Sequence, residues 1–308
     1  MSGAALVLED VTKRYGEFEA VRDLSFSAQA GRICGFLGPN GAGKTSTLRM
    51  ILGLSEPTTG RITVLGADDG RKVRDRIGFL PEERGLYRRM TPLGVLVFLA
   101  GLKGVADGEA RRRAKALLEA HGLAHAMNRQ VRALSKGMAQ KVQLLSALLH
   151  EPELVILDEP FSGLDPVNQQ DLERMIRGLA ERGATVIFST HVMQHAERLC
   201  EQVVLIASGR KVFDGKVEAA RAAAPRRLVL EGALSVAQVA ALPGLAASQA
   251  EPLEEGGVRV TATLHPGAPA QEALRAAFAQ GLDIRRFELK EPQLHDAFIV
   301  LTGGEVGA

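Results

Sequence analysis

The feature that most constrains this chain is a glycine-rich octapeptide, Gly38-Pro-Asn-Gly-Ala-Gly-Lys44-Thr45. It fits the pattern G-x-x-x-x-G-K-[ST], and it lies between an apolar run at 33–37 and a helix-like segment at 46–52. In such a strand–loop–helix unit the glycines allow a tight turn, so successive backbone N–H groups point at phosphate oxygens. The N-terminus of the following helix adds a partial positive charge at the same place.

This octapeptide therefore predicts a nucleotide-binding P-loop. We expect Lys44 to reach the β- and γ-phosphates and the Thr45 hydroxyl to ligate Mg²⁺. A glycine-rich turn with an incidental lysine is the alternative, and the strand and helix on either side argue against it. The residues expected to contact the nucleotide are Gly38, Pro39, Asn40, Gly41, Ala42, Gly43, Lys44, Thr45 and Ser46.

The bulk properties narrow the class of protein. A length of 308 residues suggests about two domains, and a net charge of +2 gives no general attraction to nucleic acid or anionic lipid. Cys34 and Cys200 are too few for a disulfide framework, so we expect both to pack as small hydrophobic residues in a reducing compartment. The N-terminus lacks the basic region of a secretion signal. The longest apolar run, 93–102, is shorter than the roughly 20 residues that span a bilayer.

The order of apolar segments predicts the fold class. Short buried-strand runs at 154–157, 185–188 and 203–206 alternate with helical patterns at 166–182 and 193–200, which is typical of a parallel α/β core. Alternating strands before residue 66 predict an antiparallel β subdomain, and the pattern from Thr91 to about His150 predicts a helical subdomain.

A second domain is predicted after the Ala/Arg-rich stretch at 219–225. The expected order is strand, helix, strand, strand, helix, strand, which is the ferredoxin-like α+β arrangement, followed by one more helix at 294–301. We therefore predict an ATP-binding-type domain at 1–218 and a smaller domain at 226–303.

A second motif supports nucleotide hydrolysis. The buried run at 154–157 ends in Asp158 and Glu159, a Walker B pattern at the strand edge where α/β sheets bind ligands. Asp158 would hold Mg²⁺ through water, since hard cations prefer oxygen ligands. Glu159 would polarise the water that attacks the γ-phosphate.

With these motifs in place, residues 4–218 resemble the ATP-binding subunits of ABC transporters, whose cofactors are ATP and Mg²⁺. Leu134-Ser135-Lys136-Gly137-Met138 resembles the LSGGQ signature, with Ser135 and Gly137 retained for contact with the γ-phosphate bound to the opposite subunit. Segment 162–166 resembles the D-loop and contributes Asp165, and His191 resembles the switch histidine. Tyr15 matches the aromatic residue that stacks on adenine.

One position departs from the family pattern. The Q-loop usually carries glutamine, and here the matching residue is Glu82. An ionised carboxylate still binds Mg²⁺ but cannot donate a hydrogen bond to the attacking water, so we expect a modified dependence on pH and Mg²⁺. The resemblance assigns Glu82 to both the catalytic set, with Glu159 and His191, and the metal set, with Thr45 and Asp158.

Segment 81–87 and the signature variant together resemble the subgroup that includes sodium-extrusion (Nat-type) subunits. The same subgroup carries a small accessory domain, which 226–303 resembles, and for which we expect a regulatory or dimer-stabilising role. In the family, the surface near 84–87 receives a cytoplasmic helix of the membrane partner. An exposed aromatic residue there would suit such docking.

The resemblance implies an ATP hydrolase that powers transport, with a lean to export, through a separate transmembrane permease. Two copies, expected to be identical, would enclose two ATP molecules at the cytoplasmic face of the cell membrane, with no nucleic acid bound.

The alternative is an ABC ATPase that acts on nucleic acid or ribosomes. Such relatives typically carry tandem ATPase units, a long coiled coil or zinc-site insertions, and this sequence shows none of these patterns.

Overall fold

The structure of the protein, a computed structural model, describes residues 3–83, 85–254 and 256–304. Arg84, the first residue of the segment predicted to dock a membrane partner, lies outside these ranges. The chain divides into two compact units, Met1–Val217 and Glu218–Ala308.

The first unit begins with a three-stranded antiparallel sheet in the order β2-β1-β4. Its strands are β1 (Ala4–Tyr15), β2 (Phe18–Gln29) and β4 (Thr59–Val64). The predicted antiparallel β subdomain is confirmed, and β1 is a single 12-residue strand with several register shifts against β2.

A six-stranded sheet forms the centre of the first unit, in the order β5-β6-β7-β3-β8-β9. Its strands are β3 (Ile33–Leu37), β5 (Ile77–Leu80), β6 (Leu154–Asp158), β7 (Thr185–Thr190), β8 (Gln202–Ala207) and β9 (Arg210–Lys216). All neighbours are parallel except β8 and β9. Every residue of β3, β6 and β7 is buried, which explains their continuous apolar runs.

Helices cover this sheet and build a separate subdomain between β5 and β6. The helices of the first unit are α1 (Lys44–Ile51), α2 (Pro92–Gly101), α3 (Asp107–Ala120), α4 (Lys136–Leu148), α5 (Pro166–Glu181) and α6 (Met193–Leu199). Leu96, Leu118 and Leu145 of α2, α3 and α4 share one apolar cluster, so the predicted helical subdomain has its own core. No helix in the described ranges is long and apolar enough to cross a membrane.

The stretch that joins the units is partly helical, which its composition did not indicate. A five-residue helix, α7 (Val217–Arg221), follows β9 directly. Both cysteines are buried, as expected. Burial raises the pKa of the Cys34 thiol to about 12 and that of Cys200 well above its ordinary value, so both are protonated at neutral pH.

The second unit has the predicted ferredoxin-like arrangement. Its elements are β10 (Arg227–Ala233), α8 (Val236–Ala240), β11 (Leu245–Pro252), β12 (Val258–Leu264), α9 (Ala270–Ala279), β13 (Asp283–Lys290) and α10 (Leu294–Leu301). The sheet order is β11-β12-β10-β13, and all three pairings are antiparallel. Leu228, Leu230 and Val260 of the sheet share a buried cluster with Ala273 and Ala277 of α9.

Candidate nucleotide-binding site

Four parallel strands end side by side and bring the predicted motifs to one edge of the central sheet. β3 ends beside β7 at the Leu37–Thr190 pair, and β6 ends beside β7 at the Asp158–Ser189 pair. β5 ends on the other side of β6. The P-loop (38–45) follows β3, so it leaves the sheet next to the residues that follow β6 and β7. This edge is where an open α/β sheet binds its ligand.

The P-loop needs its glycines for two different reasons. A Cβ on Gly38 would lie 2.2 Å from the carbonyl oxygen of Ile206, and one on Gly43 would lie 2.5 Å from that of Ala20, so both positions exclude any side chain. Gly41 has open space around it and a φ of 78°, so there the backbone conformation favours glycine.

The N-terminus of α1 is available to an anion. Its N-cap is Gly43, with a φ of 102°, and no side chain caps the helix; no acidic residue lies in its first turn. The N–H groups of the first turn therefore remain to bind phosphate oxygens, as in other P-loops. Thr45 and Ser46 lie half-buried in the same turn, so their hydroxyl groups are beside these N–H groups.

Lys44 is held over its own loop. Its Nζ donates to the carbonyl oxygens of Gly38 (2.8 Å) and Pro39 (3.2 Å), and it lies 3.3 Å from Oε1 of Glu159. The side chains of Lys44 and Glu159 are only 6% and 8% exposed, so this ion pair is shielded from solvent. The first and second predicted motifs thus meet directly.

Asp158 and Glu159 are both held by Ser189 of the neighbouring strand. The Ser189 hydroxyl donates to Oδ1 of Asp158 and accepts from the backbone N–H of Glu159 (3.1 Å). Glu159 has a φ of 45°, in the left-handed region, where a residue other than glycine is strained. Such strain is a feature of functional sites.

His191 completes a three-residue cluster with Lys44 and Glu159. Its Nδ1 lies 3.0 Å from the same Oε1 of Glu159 that faces Lys44. The imidazole is 48% exposed whereas the carboxylate is almost fully buried. The structure therefore places the predicted base between the P-loop cation and a histidine that solvent can reach.

The signature residues lie at the start of α4 and are engaged with their own subunit. Ser135 is the N-cap of α4, and its hydroxyl accepts from the backbone N–H of Met138 (3.2 Å). A Cβ on Gly137 would lie 2.7 Å from Nδ2 of Asn168 on α5. Ser135 is exposed and Gly137 is half-buried.

Asp165 of the D-loop segment caps α5. Its Oδ1 accepts from the backbone N–H of Asn168 (3.0 Å), and Asn168 Nδ2 donates to its Oδ2. These hydrogen bonds, chiefly the backbone one, lower the pKa of the Asp165 carboxyl below its ordinary value of 3.8. Asn168 thus joins the D-loop carboxylate to the signature glycine, Gly137, within one subunit.

Tyr15 lies at the end of β1 and is 48% exposed. It pairs across the hairpin with Phe18, which is 62% exposed, and the Lys13 ammonium lies 5.0 Å from the Tyr15 ring centre. Phe18 belongs to strand β2, and β2 also contacts the P-loop, because Ala20 of β2 lies against Gly43. An exposed ring thus stands on the hairpin that borders the phosphate loop.

Glu82 stands apart from the other predicted site residues. It is exposed, two residues beyond the end of β5, and it makes no hydrogen bond or ion pair within the described part of the chain. The structure therefore places Glu82 near the correct sheet edge without bringing its carboxylate onto Asp158 or Thr45.

Three residues at this site were missed by the sequence reasoning. They are Ser189, which binds the Asp158 carboxylate and the Glu159 backbone N–H, and two buried glutamines of α4. The amide of Gln140 donates to the Pro160 carbonyl oxygen (3.2 Å), and that of Gln143 donates to the Glu83 carbonyl oxygen (3.2 Å). Two glutamines three residues apart, on one face of α4, were the available signal.

Comparison with known proteins agrees with this geometry. Residues 21–162 match the family described as ABC transporter. An uncharacterized ABC transporter ATP-binding protein, YhaQ of Bacillus subtilis, is 39% identical over 299 residues, which cover 97% of this chain and 98% of the relative. This chain belongs to the ATP-binding proteins of ABC transporters. Members of this family hydrolyse ATP and work with separate transmembrane components.

Two further relatives have more specific names. The Nod factor export ATP-binding protein I of Rhizobium leguminosarum bv. viciae is 36% identical, over 99% of this chain and 97% of the relative. The ABC transporter ATP-binding protein NatA of Bacillus subtilis is 39% identical, over 69% of this chain and 90% of the relative. A solved ATP-binding subunit of an ABC transporter superposes with a TM-score of 0.65 at 33% identity, over 70% of this chain and 92% of that one. The predicted family and ABC ATPase fold are confirmed.

Proposed function

We propose that this chain is one of two identical ATPase subunits that power export through a transmembrane permease at the cytoplasmic face of the cell membrane. The observation that carries the proposal is the cluster of Lys44, Glu159 and His191. In this cluster one buried carboxylate oxygen lies 3.3 Å from the P-loop ammonium and 3.0 Å from an imidazole nitrogen. Support for export comes from a relative of nearly the same length that is named for Nod factor export.

The cluster suits activation of water. When the γ-phosphate of ATP occupies the P-loop, Lys44 would turn to the phosphate oxygens and leave Glu159 Oε1 free to accept a proton from water. His191 would keep the Glu159 side chain in place from the solvent side. Because Glu159 is buried, its hydrogen bonds there are stronger than they would be in water.

The oxygen donors beside the P-loop fit a hard cation. Asp158 is 3% exposed and has one oxygen engaged by Ser189, so its other oxygen remains as an acceptor. We propose that Thr45, Asp158 and Glu82 hold Mg²⁺, with Asp158 acting through water. The cation would neutralise charge on the β- and γ-phosphates.

The remaining predicted residues would complete the site from two sides. Tyr15 would stack on adenine, since its ring is exposed on the hairpin beside the P-loop. Ser135 and Gly137 of one subunit would contact the γ-phosphate bound to the other, and Asp165 would lie at the same interface. Ser135 is exposed at the N-terminus of α4 and Asp165 at that of α5, which supports this assignment because helix N-termini attract anions.

We propose that the second unit is an accessory domain of the Nat-type subgroup with a regulatory or dimer-stabilising role. Its support is the similarity to relatives that span nearly the whole chain, YhaQ among them. The substrate is set by the permease and is not part of the proposal.

Capture of partners tests the proposed function. The Glu159→Gln variant, which should bind ATP and hydrolyse it slowly, is used with ATP to recover partners from detergent-solubilised native membranes. We expect a polytopic membrane protein, identified by mass spectrometry. Recovery of ribosomal or DNA-associated proteins without any membrane protein would replace the transport proposal with the nucleic-acid alternative.

The role of Glu82 has its own test. In Glu82→Gln, the ATPase rate is measured against Mg²⁺ concentration and against pH. We expect both profiles to change, because glutamine is a weaker ligand and a neutral one. Profiles identical to those of the unaltered protein would refute the assignment of Glu82 to the metal.

A further inference from the structure

Gln143 is a buried residue of α4 whose side-chain amide binds the backbone of a distant segment. It is 5% exposed on α4, and its Nε2 donates to the carbonyl oxygen of Glu83, directly after Glu82. Its Oε1 is also buried and has no hydrogen-bond partner in the described ranges. An unpaired buried oxygen is unfavourable, so packing alone does not account for a glutamine at this position.

A second glutamine makes the matching contact one turn earlier. Gln140 is 6% exposed, and its Nε2 donates to the carbonyl oxygen of Pro160, directly after Glu159. Residues three apart share one face of a helix. One face of α4 thus binds the backbone of two segments that leave adjacent strands, β5 and β6, at the nucleotide edge of the sheet.

The two segments differ in how else they are held. Glu159 is fixed by Lys44, His191 and Ser189. Glu82 has no such contact among the described residues, and its position depends on the backbone around it. The hydrogen bond from Gln143 to the next residue, Glu83, is therefore the side-chain contact that locates this backbone.

We infer that Gln143 is a positioning residue that sets the Glu82 carboxylate relative to the signature helix. The inference deepens the proposed function and rests on it. Ser135 and Gln143 stand at the start and middle of α4, about 12 Å apart along one rigid rod. A phosphate bound at the N-terminus of α4 would thus fix the backbone that carries Glu82 through the same helix.

The test compares Gln143→Met with Leu144→Met in the full-length protein. Methionine keeps a similar volume and removes both amide groups, and Leu144 is a buried neighbour on α4 with only apolar atoms in its side chain. In Gln143→Met we expect the Mg²⁺ concentration for half-maximal ATPase activity to rise about tenfold, as for residues that orient metal ligands. Binding of a fluorescent ATP analogue in EDTA and the melting temperature should match those of Leu144→Met.

Gln140→Met is a comparison variant, because Gln140 binds the other segment through the same kind of hydrogen bond. Because Glu159 keeps three other contacts, this variant should shift the Mg²⁺ requirement less than about twofold. A double-mutant cycle with Glu82→Gln then asks whether Gln143 acts through Glu82. If it does, Gln143→Met should cause little further shift in a Glu82→Gln background.

Two results would overturn the inference. One is an equal Mg²⁺ requirement in Gln143→Met and Leu144→Met, and the other is a full, multiplicative shift from Gln143→Met in the Glu82→Gln background. Failure of the transport proposal is distinguishable, because it would appear in the partner capture while ATP hydrolysis and its Mg²⁺ requirement stay measurable. If the unaltered protein failed to bind the ATP analogue or to hydrolyse ATP, the inference would fall as well.

Discussion

The two halves of the proposed ATP site are built differently. The half formed by the P-loop and Walker B residues is buried and internally connected, with Glu159 shared between Lys44 and His191. The half formed by Ser135 and Asp165 is exposed, and each of these side chains caps the helix that it begins. In the first half the reactive groups contact one another within a single chain, whereas the second half presents two helix N-termini at the surface, each with one N–H group capped.

In the proposed dimer, this difference separates the half of the site that one chain supplies from the half that a second chain would supply. The buried Lys44–Glu159 ion pair should persist when no nucleotide is bound, because breaking it would leave an unpaired buried charge. Ser135 and Asp165 each stabilise the helix that they cap. The N-termini of these two helices are nevertheless exposed and can bind an anion, such as a phosphate held by another chain. We therefore expect the P-loop and Walker B half to carry out bond cleavage, and the half formed by Ser135 and Asp165 to contact the nucleotide bound to the other chain.

The largest effect should come from the connected half. In Glu159→Gln, loss of the proton acceptor should lower kcat by about 10²- to 10⁴-fold while ATP binding persists. Steady-state ATPase assays and equilibrium binding measure the two quantities. Glu153→Gln, which alters an exposed carboxylate paired with Arg76, is the control and should retain full activity. Equal losses in both variants would remove the special role of Glu159.

The exposed half should show a smaller effect on activity. Ser135→Ala removes a hydroxyl that would bind a charged phosphate, so kcat should fall by about 10- to 100-fold. It also removes a helix cap, which costs about 1 kcal/mol of unfolding free energy. Ser235→Ala is the matched control, since Ser235 caps α8 in the second unit. If both serine variants lose activity alike, the signature assignment is wrong.

Alanine substitutions at two P-loop glycines should distinguish a glycine required for lack of space from one required for its backbone conformation. Gly38→Ala places a Cβ 2.2 Å from a carbonyl oxygen and should reduce the free energy of unfolding by about 1–3 kcal/mol or more. Gly41→Ala meets open space and should cost only about 1–2 kcal/mol, for its positive φ. Urea unfolding of both variants measures the difference, and a reversed order would contradict the loop geometry.

The smallest effect concerns pH. The pKa of Asp165 is lowered on folding by the Asn168 N–H, so its charge stabilises the fold above the ordinary pKa of 3.8 and ceases to do so as the pH falls through the folded value. Asp165→Asn keeps a good N-cap and removes the charge. Its stability deficit relative to the unaltered protein should therefore be present at neutral pH and vanish in acid. A deficit that persists or grows once the pH is well below the folded pKa of Asp165 would contradict the capping role.

Sequence patterns predicted the parts of the molecule that depend on local spacing. The P-loop, the Walker B strand and the strand order of the second unit follow from runs of neighbouring residues, and the structure contains them. The edge strand β9 and helix α7 went unpredicted, because their burial patterns are mixed or their segments short. Contacts between segments that are distant in the sequence could not be predicted either. Gln143 and Glu83 are 60 residues apart, and Ser189 and Asp158 are 31 apart, so only the fold brings them together.

The central claim is that each ATP site is shared between two chains, and mixing two inactive variants tests it most directly. Lys44→Met disables the P-loop, and Ser135→Arg blocks the signature with a bulky side chain. Each should be inactive alone, since every homodimer lacks one half of both sites. An equal mixture should recover about one quarter of the unaltered activity, because half of the dimers would contain one complete site. A mixture that stays inactive, although Ser135→Arg still binds ATP, would contradict the account.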